Sequence, residues 1–268
     1  MKRAVYLLVI SLFTLSFSVP AFGWGQKGHR IIAKIAYDNL SKKAKKQVDQ
    51  TLGAGGMIYW VNWPDEIKSD TIYKNSHGGH YQDFPAGLNR NDIVAALKDY
   101  PKEGGHLFHD LDSIENMLRY AVQNKQPIHP HTLRFFIHLN GDLYCPMHLA
   151  HVDDKGGNKV RMKWFGDNTN LHSVWDSKII ESQGYSYSEY AELLQHNYAS
   201  LRKHLLQDDY DEAELVWQTY LLTDSIYAYQ STWDNNTYHY IYRWHEPMEQ
   251  QLYIAGIRLA RLLNEIFK

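Results

Sequence analysis

His138 and Asp142 stand four residues apart, and His172 and Asp176 repeat that spacing further along the chain. On a helix an i, i+4 pair shares one face, so each pair can aim an imidazole nitrogen and a carboxylate oxygen at one point. Those donors suit zinc and similar cations. One such pair alone reads as a surface ion pair of little consequence. Two pairs, with His148 six residues beyond Asp142 and just after Pro146, point instead to a metal cluster. Phe135, Phe136 and Ile137 precede His138, while Leu171, Val174 and Trp175 surround His172. Carboxylates in such apolar company are costly unless a cation compensates them. Further donors lie upstream in Trp63-Pro64-Asp65-Glu66-Ile67-Lys68 and in His77-Gly78-Gly79-His80-Tyr81-Gln82-Asp83. Taken singly, Asp65 reads as an acidic residue compensating a helix start, and His80 says little.

The beginning of the chain adds a different kind of donor. Lys2 and Arg3 precede an apolar run from Ala4 to Phe17, and Pro20 stands before Ala21-Phe22-Gly23, which predicts a secretory signal cleaved after Gly23. The run is shorter than the roughly 20 residues that span a bilayer. No later segment reads as membrane-spanning, so the mature protein is expected to be soluble and exported, to the periplasm or the medium. Cleavage would expose the amine of Trp24 five residues before His29, and a free amine is a competent metal ligand once deprotonated.

Helices must position these groups. Ile31, Ile32, Ile35, Ala36 and Leu40 fit one face of a first helix, and Ser41 caps a second over 42–52 that Gly53 ends. Asn91-Asp92 opens another, closed by Pro101, and two more are predicted over Leu107–Gln123 and Pro130–Tyr144. After Gly156-Gly157, Lys159–Trp164 is the one plausible strand, part of a small hairpin at most. Helical patterns resume over 171–182, from Ser186 or Ser188 to about His204, from Asp211-Glu212, and in a long last helix carrying Leu252, Ala255, Leu259, Leu262 and Ile266. With no linker or repeat, the expectation is a single, mainly α-helical domain over 24–268 around a metal cleft.

Composition narrows the function. In 268 residues, 28 basic side chains face 30 acidic ones, which excludes a polycationic nucleic-acid binder, and 14% aromatic content excludes a disordered acidic chain. Signal removal takes Lys2 and Arg3 and no acidic residue, so the mature balance is more acidic still. Cys145 is the one cysteine, so no internal disulfide can form.

Taken in order, the motifs resemble the secreted zinc-dependent single-strand-specific nucleases and 3′-nucleotidases, the S-one/P-one nuclease family. The resemblance rests on Trp24-Gly25-x-x-Gly28-His29, Trp63-x-Asp65, His80-Tyr81-x-Asp83, His138-x-x-Gly141-Asp142 and Pro146-x-His148. It continues through Asp154-x-Gly156-Gly157-Asn158, Asn170-Leu171-His172-x-x-Trp175-Asp176 and Ala255-Gly256-x-Arg258-Leu259-Ala260. It implies a mainly helical fold and three Zn²⁺. Asp65, His80, His138 and Asp142 match the ligands of one ion, and His148, His172 and Asp176 those of a second. The amine and carbonyl of Trp24, with His29 and bridging Asp142, match those of the third. Such a cluster concentrates positive potential in one cleft of an acidic protein. The implied reaction is attack on phosphorus by a metal-bridged hydroxide, giving 5′-phosphate products from single-stranded DNA, RNA and 3′-nucleotides. Lys68 would neutralise charge on the reacting phosphate, Tyr81 would stack a base, Asp83 would bond its edge, and Asn158 would orient substrate or shape a turn. No protein partner is implied. Fungal and plant members use disulfides, which the lone Cys145 cannot form, as expected of a bacterial-type member. Two rival readings remain: a zinc-dependent phospholipase C, which would need an apolar lipid-facing rim, and a non-catalytic zinc-binding protein, which usually carries repetitive His tracts absent here.

Overall fold

The computed structural model describes residues 24–206 and 211–268, without the side chain of Glu212; the predicted signal segment lies outside the described residues. The frame is helical, and its centre is the packing of the first helix on the last. In α1 (Gln26–Asp38) the residues Ile31, Ile32, Ile35 and Ala36 are fully buried, and this face lies on α13 (Thr237–Ile266) and on α10 (Tyr187–Asn197). Gly256 of α13 permits the contact, because a Cβ there would lie 2.6 Å from Cγ2 of Ile35. The 30-residue α13 continues through Pro247 and buries Leu252, Ala255, Leu259 and Leu263.

Around this pair stand α2 (Lys42–Leu52), α5 (Arg90–Asp99), α6 (Leu107–Gln123), α7 (Pro130–Asp142) and α12 (Glu212–Gln230). Local chemistry sets their ends. Ser41 accepts from the Ala44 N–H, Asn89 and Asp92 form a reciprocal cap, and Pro130 occupies the first turn of α7, where no N–H is needed.

Two short helices, α3 (Gly56–Trp60) and α4 (Trp63–Glu66), lead into 3₁₀ turns over Ile67–Ser69 and Thr71–His80. The segment carrying His80 is therefore ordered 3₁₀ structure, a form that leaves no helical periodicity to read. The described β-structure is an antiparallel hairpin pairing Arg161–Trp164 with Asp167–Asn170, the second strand following a turn at Phe165-Gly166. The helix expected over 171–182 is split into α8 (Leu171–Ser173), a π turn over Val174–Lys178 and α9 (Ile179–Glu181). The helix expected to reach His204 breaks at Tyr198 into α10 and α11 (Ala199–Leu205). No helix among the described residues is long and apolar enough to cross a membrane.

Candidate metal centre

The donors come from α1, α4, the 3₁₀ segment, α7, the turn after it, α8 and the π turn. His29 lies on the buried face of α1, and its ring stacks on that of His138 with centroids 3.8 Å apart. Gly141, one turn beyond His138, leaves room for that ring: a Cβ there would stand 2.9 Å from Nδ1 of His29. Asp142 shares the His138 face at the end of α7, with 3.3 Å between His138 Nε2 and its Oδ2. Asp142 also lies 3.2 Å from His29 Nε2, 2.9 Å from His80 Nδ1 and 3.5 Å from His148 Nδ1. Asp65, from α4, faces His138 at 3.5 Å and His80 at 3.7 Å, and accepts from Lys68 Nζ at 2.6 Å. Lys68 is thus a nearly buried lysine held on the wall of the centre.

Backbone carbonyls orient three of the imidazoles. Nδ1 of His138 meets the Val61 carbonyl at 2.6 Å, Nδ1 of His172 meets the Gly156 carbonyl at 2.7 Å, and Nδ1 of His148 meets the His80 carbonyl. A carbonyl only accepts, so each Nδ1 carries a proton and Nε2 is the nitrogen that a neutral ring offers as a lone pair. The remaining capacity is unspent. Nε2 of His80, and Oδ1 of Asp142 and Asp176, are buried without a hydrogen-bond partner. His138 Nε2 and His80 Nδ1 sit only 3.1 Å apart.

Burial dominates the electrostatics. It pushes the His148 pKa down to about 3 and that of His80 to about 4, with Asp142 opposing the shift in both. Burial acts the same way on His138, but the charges of Asp142 and Asp65 overcome it and raise the value to about 10. Burial raises Asp142 and Asp65 too, yet the His138 charge carries both below the usual carboxylate range. For Asp176 the charges of Lys68 and His138 do not suffice: burial, then the charges of Asp65 and Asp142, push it well above that range. One imidazolium cannot serve this many buried carboxylates and lone pairs. Divalent cations would, and the donor set fits them.

Among the described residues three tight donor groups occur: His29, His138 and Asp142; Asp65, His80 and His138; and Cys145, His148 and Asp176. Cys145, which sequence reasoning considered only for disulfides, is therefore within the centre. His172 adjoins the third group, its ring stacked 5.4 Å from that of His148. Trp24 is fully buried beside the same group, because the Gly25 N–H donates to the Asp176 carbonyl at 2.7 Å.

Tyr81, Asp83 and Asn158 lie apart from the donors, lining an adjoining cavity of about 600 Å³ that His80, His148 and His172 also border. Gly105, at φ +107, lets the chain pass close to Tyr81, where a Cβ would lie 2.8 Å from the ring. Asp83 is buried with Oδ1 unpartnered, and burial, with Asp154 adding to it, pushes its pKa up to about 8 against the Ala150 N–H that it accepts from. Asn158 donates to the Lys155 carbonyl at 2.9 Å and so shapes the turn. Outside the donor set, His131 is half-buried, bonded to the Tyr73 hydroxyl at 2.9 Å, and His151 stacks on Tyr227.

A helical frame that gathers buried imidazoles and carboxylates beside a cleft of this kind belongs with metal-dependent hydrolases. Similarity to known proteins says of which kind. The S1/P1 Nuclease family profile matches residues 24–268, and the chain belongs to that family. It is 30% identical to Endonuclease 3 of Arabidopsis thaliana, covering 100% of this chain and 97% of that protein. Identity to Endonuclease 2 of the same plant is 27%, over 98% and 97%. Nuclease S1 of Aspergillus oryzae is 28% identical over 70% of this chain and 67% of its own. The protein is a nuclease, a hydrolase of phosphoester bonds.

Proposed function

We propose that the protein is an exported, three-zinc nuclease that hydrolyses single-stranded DNA and RNA and 3′-nucleotides to 5′-phosphate products. The observation that carries this reading is the set of buried, unpartnered donor atoms of His80, Asp142 and Asp176 beside a cavity with an aromatic face. Asp65, His80, His138 and Asp142 would hold one ion; His148, His172 and Asp176 a second; and His29, Asp142 and the amine and carbonyl of Trp24 the third. When bound, zinc supplies Lewis-acid chemistry, drawing charge from phosphoryl oxygens and acidifying water.

The chain's own groups do the rest. The carbonyls of Val61, Gly156 and His80 hold the Nδ1 protons of His138, His172 and His148, which keeps the three rings turned and their Nε2 atoms available. Lys68, pinned by Asp65, offers a fixed positive charge to a phosphate oxygen without having to be ordered at the moment of reaction. Tyr81 gives a base a stacking face worth about 1–3 kcal/mol, and Asp83 meets its polar edge. A base must leave its stack to enter this cavity, which costs a few kcal/mol from a duplex and much less from a single strand. Release of the signal after Gly23 supplies the Trp24 amine.

The test pairs a metal count on protein beginning at Trp24 with hydrolysis of a homopolymer RNA, single-stranded and duplex DNA, a 3′-nucleotide and phosphatidylcholine. The expected result is three zinc ions, cleavage of the single strands and the nucleotide with 5′-phosphate ends, and little action on duplex or lipid. Lipid cleavage without nucleotide release, or zinc binding without any phosphoester cleavage, would overturn the proposal.

A further inference from the structure

Cys145 is fully buried in the turn between two donors. Its N–H donates to the Asp142 carbonyl and its own carbonyl accepts from the His148 N–H, each at 2.9 Å, so the backbone fixes where the thiol sits. From there Sγ lies within 4.8 Å of a ligand atom of His148 and of one of Asp176, and those two lie within the same distance of each other. Two independent features mark this as a place for a cation. Asp176 Oδ1 is buried and unpartnered, and His148 has its Nδ1 committed to a carbonyl. The family resemblance assigns His148, His172 and Asp176 to this ion, yet the tight group that the fold assembles contains the sulfur.

We propose that Cys145 is a sulfur ligand of the ion held by His148 and Asp176. The Sγ–H proton passes to water as the sulfur–metal bond forms, and no oxidant takes part. The position then has three tight protein donors, one of them a soft thiolate, with the His172 ring stacked on that of His148 beside them. That set favours zinc, cobalt or cadmium over magnesium or manganese, and three protein donors leave a position open. The inference rests on the metal-centre reading of the site.

The two can be told apart with Co²⁺. The full protein is stripped with a chelator and reloaded, and bound cobalt is counted while the absorption spectrum is recorded. The expected result is a near-ultraviolet sulfur-to-cobalt charge-transfer band in the wild type. The band is lost in Cys145→Ser and Cys145→Ala, while the visible bands of the other bound cobalt ions persist. Full cobalt uptake by the wild type without that band overturns the sulfur ligand alone and leaves the metal centre standing, as does a band that survives in either variant. No cobalt uptake by the wild type overturns both. The wild-type spectrum decides the matter even if the variants fail to fold.

Discussion

Asp83 offers a test in which the sign and the size both follow from its surroundings. Its carboxyl is buried, accepts one backbone N–H, and has an oxygen without a partner, so burial raises its pKa from 3.8 to about 8. Between those values the folded chain holds a proton that the unfolded chain has released. Stability therefore falls as pH rises through that window, and the full penalty is present above pH 8. A displacement from 3.8 to about 8 sets a ceiling of about 6 kcal/mol. The cavity admits water, which lowers the effective penalty to about 3 kcal/mol. Asp83→Asn keeps the shape and an oxygen for the Ala150 N–H but cannot ionise. In chelator-treated protein, urea unfolding followed from pH 4 to pH 9 is expected to give nearly equal midpoints for both proteins at the acid end. The variant should gain progressively toward the alkaline end. Adding zinc back should pull the wild-type transition to lower pH, because cations on His80, His148 and His172 border the same cavity. Parallel wild-type and variant curves across the whole range would refute the argument, since they would mean that Asp83 titrates alike folded and unfolded.

Gly141→Ala would drive a methyl to 2.9 Å from the His29 ring, and the resulting shift of that ring is expected to cut activity roughly 10²-fold and lower the metal count. Gly256→Ala crowds Ile35 instead, so calorimetry should show about 1–3 kcal/mol of lost stability with the metal count kept. Equal metal loss in both variants would show that Gly141 acts only through packing. Tyr81→Ala should weaken KM for a single strand by the equivalent of about 1–3 kcal/mol, and an unchanged KM would remove the ring from base binding. One residue retained before Trp24 should lower both zinc content and turnover, because an amide nitrogen is a poor ligand where an amine is a good one; unchanged zinc and rate would contradict the role of the amine.

Much of the frame was readable from local pattern. The apolar spacing of Ile31, Ile32 and Ile35, the Ser41 cap and the proline at the start of α7 act within one or two turns, so the helices they define are where they were expected. The readings that missed depend on partners distant in the chain. The 3₁₀ run at 71–80 presents no repeating apolar face, and the break at Tyr198 follows no glycine or proline. The π turn over 174–178 interrupts an otherwise regular pattern and carries Asp176 into the centre.

Residue order alone disclosed the i, i+4 pairs, the aromatic next to His80 and the basic residue three after Asp65, since helical geometry turns such spacings into directions. It could not disclose that Val61, His80 and Gly156 would present carbonyls to three imidazoles, that Lys68 would be pinned rather than solvated, or that the one thiol would lie beside Asp176. Lys68 lies three residues from Asp65 and depends on the fold only for its burial; the others are meetings between separate segments of the chain, and only tertiary packing brings their atoms within bonding reach.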